Sequence, residues 1–310
     1  MRIIYFGTPD FAVPSLRALV EAGEDVVAVV SQPDKLKGRG HKLSQPPVKE
    51  FALSKGIKVI QPSGIRSDDF HKTIEVLKPD VIVVVAYGRI LPPAILKLPL
   101  LGCINVHASL LPKYRGAAPI QRAIIKGEKT TGVTTMLLDE GLDTGDILLK
   151  EEAEIKDEDN ALTLSVRLSE AGASLLIKTL SGLKDNSIRP VPQTGEPSYA
   201  PPLNKEDGRI DWSLPAIEIF NMIRGTYPWP GAYCYLGKER INIIKARVID
   251  NIEKPVSARI EKIAGEEMHV GTGRGILTIQ ELKPDGKKNM SATAFINGRR
   301  LREGAFFETI

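Results

Sequence analysis

The sequence predicts an α/β protein in two parts, a Rossmann-like, doubly wound, mainly parallel sheet followed by a small all-β unit interpreted as a barrel. In the first half, β-branched apolar runs alternate with amphipathic stretches, which is typical of a parallel sheet with helices on both faces. In the second half the apolar runs are short and separated by turn residues. The chain length of 310 residues also exceeds the roughly 100–200 residues of a typical domain, which favours two domains.

The elements of the first part follow one another as strand, helix, strand, helix. Each predicted strand is a short apolar run, and each predicted helix has apolar positions at helical spacing. The predicted strands are 1–6, 26–30, 57–60, 81–86, 102–106 and 132–138, and the predicted helices are 11–22, 48–55, 68–77, one starting near 117, and 161–183.

A proline-rich stretch then separates the two parts. Residues 186–206 contain five prolines and a glycine, a composition that neither a helix nor a central strand tolerates. We therefore predict a first domain at 1–188, a linker at 189–206 and a second domain at 207–310. Within the second domain we expect a helix at 214–224 and strands at 232–236, 241–249, 258–263, 268–271 and 275–282.

Composition excludes several classes of protein. At 42% hydrophobic and 26% charged residues, the chain is neither disordered nor fibrous. The longest apolar run, 81–87, falls far short of the roughly 18 residues of a membrane helix, and the apolar start at 3–6 is too short for a signal peptide. The two cysteines, Cys103 and Cys234, are far apart, so we expect no disulfide and a cytoplasmic protein. The net charge of +4 permits a nucleic-acid partner without requiring one.

The usual nucleotide-binding motifs are missing. The first strand-to-helix turn reads FGTPD at 6–10 rather than G-x-G-x-x-G, and no P-loop motif occurs anywhere in the sequence. An NAD-dependent dehydrogenase, which the predicted fold alone would allow, is therefore disfavoured.

Two polar residues mark the end of one predicted strand. Asn105 and His107 are two residues apart, so in a strand their side chains lie on one face, at the carboxyl edge where open α/β sheets bind ligands. An amide and an imidazole would then converge. From spacing alone, a surface histidine and a turn asparagine remain the alternative.

An acidic loop follows another predicted strand of the same sheet, at 137–146. A carboxylate beside His107 would hold one tautomer of the imidazole and favour its cationic form, as proton transfer near neutral pH requires. Periodicity does not choose among the acids of this loop, which are Asp139, Glu140, Asp143 and Asp146.

The motifs together resemble those of the 10-formyltetrahydrofolate-dependent formyltransferases. The resemblance rests on NVHASLLP at 105–112, YRG at 114–116 and GLDTG at 141–145, and it extends over essentially the whole chain through FGTPDF at 6–11, QPD at 32–34, GRG at 38–40 and AAPIQ at 117–121. It implies that Asn105, His107 and Asp143 are the catalytic residues. Asp143 is thereby selected from the four acids.

The same resemblance implies the formyl donor and its site. The donor is expected to be 10-formyltetrahydrofolate, used without a metal. The expected folate-binding residues are Ser109, Leu110, Leu111, Pro112, Tyr87, Gly88, Arg89, Ile90 and Leu91.

The resemblance is strongest to the family members that formylate the methionine carried by initiator tRNA. It implies that the second domain is an OB-like barrel that contacts tRNA, and that a basic segment at 35–43 does so as well. The expected contacts in that segment are Lys35, Lys37, Arg39 and Lys42, and further candidates in the second domain are Lys283, Lys287, Lys288, Arg299, Arg300 and Arg302. We expect a monomer that binds charged initiator methionyl-tRNA and folate and no membrane.

Three alternatives remain open at this point. The acceptor could be a small amine such as glycinamide ribonucleotide, although those enzymes resemble only the first half of this chain. Water could replace the amine, which would make the protein a hydrolase that releases formate. A non-catalytic RNA-binding protein that keeps the folate-enzyme fold is the alternative outside enzyme chemistry.

Overall fold

The structure is a computed structural model that describes residues 1–37, 42–249 and 255–308. The chain divides into two compact units. The first comprises Met1–Pro119, Thr130–Glu154 and Ser165–Pro201, and the second comprises Ile120–Lys129, Ile155–Leu164 and Pro202–Ile310. The predicted boundaries at 188 and 206 stay a prediction.

The first unit contains a sheet of seven strands, counted over the described residues. The strands of the first unit are β1 (Arg2–Gly7), β2 (Asp25–Val30), β3 (Lys35–Lys37), β4 (Lys42–Ser44), β5 (Val59–Ile60), β6 (Val81–Val85), β7 (Cys103–His107), β8 (Thr130–Leu137) and β9 (Ile147–Glu154). The sheet order is β5-β2-β1-β6-β7-β8-β9, while β3 and β4 pair only with each other.

The sheet is parallel from β5 to β7 and antiparallel from β7 to β9. This confirms the predicted mainly parallel sheet. The sequence patterns did not reveal β9, because its second half, KEEAE, is mostly charged and resembles a solvated loop.

Helices cover both faces of this sheet, as a doubly wound fold requires. They are α1 (Val13–Glu21), α2 (Pro47–Ser54), α3 (Asp68–Val76), α4 (Pro93–Leu96) and α6 (Ala161–Lys184). A further helix, α5 (Pro119–Ile125), belongs mostly to the second unit. One core cluster joins the sheet to α1, α2 and α6, and a second joins it to α3 and α4. The strand between these layers, β6, is buried along its whole length, which explains its continuous run of Val and Ile.

The second unit is built on an antiparallel sheet. Its elements are α7 (Ala216–Thr226), β10 (Ala232–Leu236), β11 (Glu239–Ile249), β12 (Ile260–Ala264), β13 (Glu267–Gly271), β14 (Ile276–Pro284), β15 (Met290–Ser291) and α8 (Ala292–Arg299). The strand order is β10-β11-β14-β13-β12, with β15 added to β14. All five strands predicted for this unit are present, and the short β15 and α8 were not predicted.

The end of the chain joins the two edges of this second sheet. The Phe307 N–H donates to the carbonyl of Ala258, just before β12, at 2.9 Å. The Glu308 N–H donates to the carbonyl of Tyr235, in β10, at 2.9 Å. The sheet is therefore curled, with the final residues bridging its edges as in a small barrel, around a core that includes Trp212 stacked on Phe307.

Part of the predicted linker belongs to the first unit. Val191 forms an antiparallel bridge with Ile147, and Tyr199 forms a parallel bridge with Arg115. The proline-rich composition excluded long strands here, but it did not exclude single bridges to a neighbouring segment.

None of the helices in the described part of the chain is long and apolar enough to cross a membrane.

Leu176 and Val166 provide a test of which face of α6 stabilises the first unit. Leu176 is fully buried in a core cluster, whereas Val166 is 57% exposed. We expect Leu176→Ala to lower the free energy of unfolding by about 2–5 kcal/mol, because it leaves a cavity, and Val166→Ala to change it by less than about 0.5 kcal/mol. Urea unfolding followed by circular dichroism measures both. Equal effects would show that the assigned buried face is wrong.

Candidate active site

Asn105 and His107 lie on one face of β7. Ile104 and Val106 pack in one core cluster and Cys103 in the other, so alternation places the side chains of Asn105 and His107 on the side of Cys103. The side chain of Asn105 is partly exposed and has no hydrogen-bond partner among the residues that the structure describes. It therefore offers a free amide N–H to a ligand.

His107 is held between two acceptors. Its side chain is 6% exposed, and its Nε2 lies 3.0 Å from the carbonyl oxygen of Tyr114. A carbonyl can only accept, so Nε2 carries a hydrogen and donates it. On the other side of the ring, Nδ1 lies 3.7 Å from Oδ2 of Asp143. These two contacts fix the orientation of the imidazole.

Asp143 is the acid of its loop that reaches the histidine. Its Oδ2 also accepts the backbone N–H of Gly116 at 2.8 Å, and its backbone is left-handed, with φ of 52°. Asp139 has a different role, because its carboxylate accepts from the hydroxyl of Thr144 at 2.7 Å and closes the loop on itself. Glu140 is exposed, and no ion pair of Asp146 occurs within the described ranges. The structure thus brings together Asp143 and His107.

The loop reaches His107 by turning back along the sheet. Because β8 is antiparallel to β7, the loop starts beside the beginning of β7, where the Leu138 N–H donates to the carbonyl of Cys103 at 2.7 Å. The reversal is tight. A Cβ on Gly145 would lie 1.9 Å from the carbonyl oxygen of Leu137, so only glycine fits there. The loop that follows β8 therefore does not leave the sheet at the edge where β7 ends.

The turn after β7 is braced from β8. The buried hydroxyl of Thr134 donates to the carbonyl of Ser109 at 2.6 Å and accepts the Leu111 N–H at 3.2 Å. The Ser109 hydroxyl donates to the carbonyl of Lys113 at 2.6 Å, and Nζ of Lys150 donates to the carbonyl of Leu111 at 2.5 Å. The path of 109–113 is thus fixed by four hydrogen bonds.

This bracing limits how the turn can contact a ligand. The side chains of Ser109 and Leu111 are fully buried. Those of Leu110 and Pro112 are partly exposed. Of the four expected folate residues of this turn, Leu110 and Pro112 are the two whose side chains are open to solvent.

The second expected folate segment follows β6. The Tyr87 ring is buried and packs edge-to-face on Phe6 at a centroid distance of 5.2 Å, and burial raises the pKa of its phenol. Its carbonyl accepts from Nε2 of Gln32 at 3.1 Å. The segment therefore leaves β6 along a fixed path.

Beyond Tyr87 this segment reaches the surface. Gly88 has a left-handed backbone and is exposed, and Arg89 donates to the carbonyl of Ser63 at 3.2 Å. Ile90 is 64% exposed and Leu91 is buried. The surface of this segment is thus formed by Gly88 and Ile90, which are exposed, and by Arg89, which is partly exposed.

The expected tRNA contacts are placed only in part. Lys35 is exposed at the start of β3. Arg39 lies outside the described residues, and the side chains of Lys37 and Lys42 are also outside the description, although their backbones belong to β3 and β4.

In the second unit, most candidate contacts are open to solvent. Arg299 is engaged with Glu239, to which its Nε donates at 2.9 Å. The other candidates are exposed and have no such ion pair in the described ranges; they are Lys283, Lys287, Lys288, Arg300 and Arg302.

The described ranges contain no group of three or more His, Cys, Asp or Glu side chains that could hold a metal ion.

Several contributors to this site carry no sequence signal. Tyr114 acts through its carbonyl, which any residue possesses. Thr134 is one of several threonines in β8, and Gln193 lies in a segment interpreted as a linker. Only the three-dimensional path of the chain shows that Tyr114 contacts His107, that Thr134 braces the turn after β7 and that Gln193 binds the loop of Asp143.

The class of the protein follows from the family matches of its two parts. Residues 1–180 match the family described as formyl transferase, and residues 202–300 match the formyl transferase C-terminal domain. The chain belongs to the formyltransferase family.

Among named relatives, it is 55% identical over 302 residues to the methionyl-tRNA formyltransferase of Thermodesulfovibrio yellowstonii, covering 97% of each chain. It is 52% identical over 305 residues to that of Pelotomaculum thermopropionicum, covering 98% of this chain and 97% of the relative.

Solved structures share the fold at low identity. The sugar 3N-formyl transferase WlaRD, described in the presence of dTDP and 5-N-formyl-THF, has a TM-score of 0.68 and 21% identity, with 93% of this chain and 99% of that chain covered. The methionyl-tRNA formyltransferase from Clostridium thermocellum has a TM-score of 0.57 and 18% identity, with 81% of this chain and 95% of that chain covered.

The bracing hydroxyl of Thr134 can be tested by an isosteric change. In Thr134→Val the Ser109 carbonyl and the Leu111 N–H lose their buried partner, so we expect the free energy of unfolding to fall by about 1–3 kcal/mol. Thr134→Ser, which keeps the hydroxyl, is the matched control and should lose less. Thermal or urea unfolding gives both values. If serine and valine cost the same, the hydroxyl does not brace the turn.

Proposed function

We propose that this protein transfers the formyl group of 10-formyltetrahydrofolate to the α-amine of methionyl-initiator-tRNA, for the initiation of translation. The observation that carries the proposal is the 55% identity, over nearly the full length, to a protein named methionyl-tRNA formyltransferase. Two contacts of the site support it. Oδ2 of Asp143 lies 3.7 Å from Nδ1 of His107, and His107 lies on the same face of β7 as Asn105. A role in translation places the protein in the cytoplasm.

The reaction is an acyl transfer between two nitrogens. The methionyl amine attacks the formyl carbon, and a C–N bond forms while the carbonyl oxygen becomes an oxyanion. The bond from that carbon to N10 of the folate then breaks. The proton lost by the new ammonium is gained by N10, so the reaction needs a hydrogen-bond donor for the oxyanion and a path for one proton. In this proposal no metal takes part.

The three polar side chains meet these needs. The amide N–H of Asn105 has no competing partner in the described residues and is available to the oxyanion. A protonated His107 is the second donor. The Asp143 carboxylate supports the positive charge of the imidazole and completes the path for the proton.

The observed contacts of the imidazole restrict how His107 can donate a hydrogen bond to the substrate. Its Nε2 hydrogen is donated to the carbonyl of Tyr114, and its Nδ1 faces Asp143. Donation to an oxyanion therefore requires the Nε2 hydrogen to be shared with that oxygen or the ring to shift once substrate binds. Such tightening is common, because catalytic hydrogen bonds often form fully only in the complex.

The folate and the tRNA would be held by different parts of the chain. We propose that the turn at 109–112 and the segment 87–91 bind the folate. Both lie within the first domain, which we place at 1–188. The basic segment with Lys35, Lys37, Arg39 and Lys42 and the second domain at 207–310 would hold tRNA through its phosphates.

The decisive experiment measures transfer of labelled formyl from 10-formyltetrahydrofolate. Charged initiator tRNA, glycinamide ribonucleotide and a reaction without acceptor are compared, and we expect label only on the tRNA. In the same assay His107→Ala and Asn105→Ala should lose at least about a hundredfold in kcat, because each removes a transition-state donor. Asp143→Asn keeps the size of the side chain and removes its charge, so it tests the carboxylate alone.

Other results would contradict this proposal in different ways. Label on the ribonucleotide would show that the acceptor is wrong, and formate released without acceptor would indicate a hydrolase. No turnover in a folded sample that binds folate would favour a binding protein. A variant of His107 or Asn105 that kept most of its kcat would remove that residue from the mechanism.

The role of the basic segment is tested by salt dependence. We expect Arg39→Ala to weaken tRNA binding and to reduce the slope of log Kd against log salt by about 1, because one phosphate contact is lost. Lys72→Ala removes an exposed cation from α3 and is the matched control. Filter binding over a salt series measures both. An unchanged slope for Arg39→Ala would show that Arg39 makes no phosphate contact.

A further inference from the structure

The segment 191–200, which enters the first unit after α6, lies against the candidate active site. Along 191–197 every residue is exposed except Gln193, which is partly buried. A polar side chain that turns inward from an otherwise exposed, proline-rich stretch has specific partners to satisfy.

Gln193 makes four hydrogen bonds at the active site. Its Nε2 donates to the carbonyl of Asp143 at 2.8 Å and to that of Gly145 at 2.9 Å. Its Oε1 accepts from Nε of Arg115 at 3.2 Å and from Nη2 of the same guanidinium at 2.7 Å. One amide thus joins the acidic loop to the segment after β7.

The same stretch also fixes the groups that hold His107 and Asp143. The Ser198 Oγ accepts the N–H of Tyr114 at 2.9 Å, and the Ala200 N–H donates to the carbonyl of Arg115 at 2.7 Å. Gly116 lies so close that a Cβ on it would be 2.8 Å from the carbonyl oxygen of Ala200. The Tyr114 carbonyl and the Gly116 N–H therefore take their positions from this segment.

We propose that Gln193 is a positioning residue for Asp143, which keeps the carboxylate opposite His107. The inference rests on the proposed function, in which that carboxylate supports the imidazole. It goes beyond the three proposed catalytic residues by assigning part of the active site to a stretch that was predicted as linker and that belongs to the first unit.

The physical basis is the unusual backbone of Asp143. A non-glycine residue with φ of 52° is uncommon and persists where its surroundings determine it. Gln193 donates two hydrogen bonds, to the carbonyls of residues 143 and 145, and these bonds stabilise the turn at Asp143. Without them, the Gly116 N–H and the internal bonds of Asp139 are left to place the carboxylate.

Two substitutions separate the contacts of Gln193. Gln193→Glu keeps an acceptor for Arg115 but points an oxygen at two carbonyls, so it removes the donor function. Gln193→Ala removes both. We expect each to lower kcat for formyl transfer by about tenfold or more and to leave KM for folate and tRNA within about twofold. Thr194→Ala, at an exposed neighbour, is the control and should match the unchanged protein.

A double-mutant cycle tests whether Gln193 acts through Asp143. In the Asp143→Asn background, we expect Gln193→Ala to lower the remaining kcat less than twofold, because the group that it positions is already lost. A general loss of folding would act equally in both backgrounds. Equal losses in both, or an effect confined to KM, would overturn the proposal.

A measurement without substrate keeps the inference separate from the proposed function. Hydrogen exchange at the Gly116 amide, which donates to Asp143, can be followed by NMR in the full chain. We expect it to speed up about tenfold in Gln193→Ala and to stay unchanged in Thr194→Ala. Faster exchange in a protein without formyl transfer would uphold the positioning and refute the function. Unchanged exchange would overturn the positioning even in an active enzyme.

Discussion

The antiparallel pairing of β8 with β7 is the constraint on which the site depends. It puts the start of the acidic loop beside Cys103, at the far end of the strand that ends in His107. A carboxylate can approach that histidine only if the loop reverses tightly, which explains the glycine at 145 and the left-handed backbone of Asp143. A chain bent in this way needs external support, and it receives it from the Gly116 N–H and from Gln193.

The fold was largely predictable because its signals are local. Buried parallel strands such as β6 are continuous runs of Val and Ile, and the short strands of the second unit end at turn residues. β9 was missed because its second half, KEEAE, is mostly charged and resembles a solvated loop. The bridges of Val191 and Tyr199 were missed because they depend on distant segments of the same chain that lie beside them, and no local sequence pattern encodes that proximity.

The candidate site was predictable only where side-chain chemistry carries it. Asn105, His107 and Asp143 stand in motifs that resemble a known family, and two of them lie 3.7 Å apart in the structure. The carbonyl of Tyr114 and the N–H of Gly116 act through the backbone and leave no residue-specific signal. Ser109 and Leu111 show the opposite case. The motif predicts that they bind a ligand, but in the structure their side chains are buried inside the turn.

The two oxyanion donors of the proposed mechanism differ in whether their hydrogens are already engaged. Asn105 has a free amide in the described part of the chain, whereas both ring nitrogens of His107 already face acceptors. In that proposal, substrate competes with the Tyr114 carbonyl for the Nε2 hydrogen, whereas the amide of Asn105 is available to the formyl oxygen without such competition. Because an oxyanion is a stronger acceptor than a neutral carbonyl, the competition favours the substrate most in the transition state. An interaction that strengthens only as charge develops lowers the barrier without tightening the binding of the folate donor.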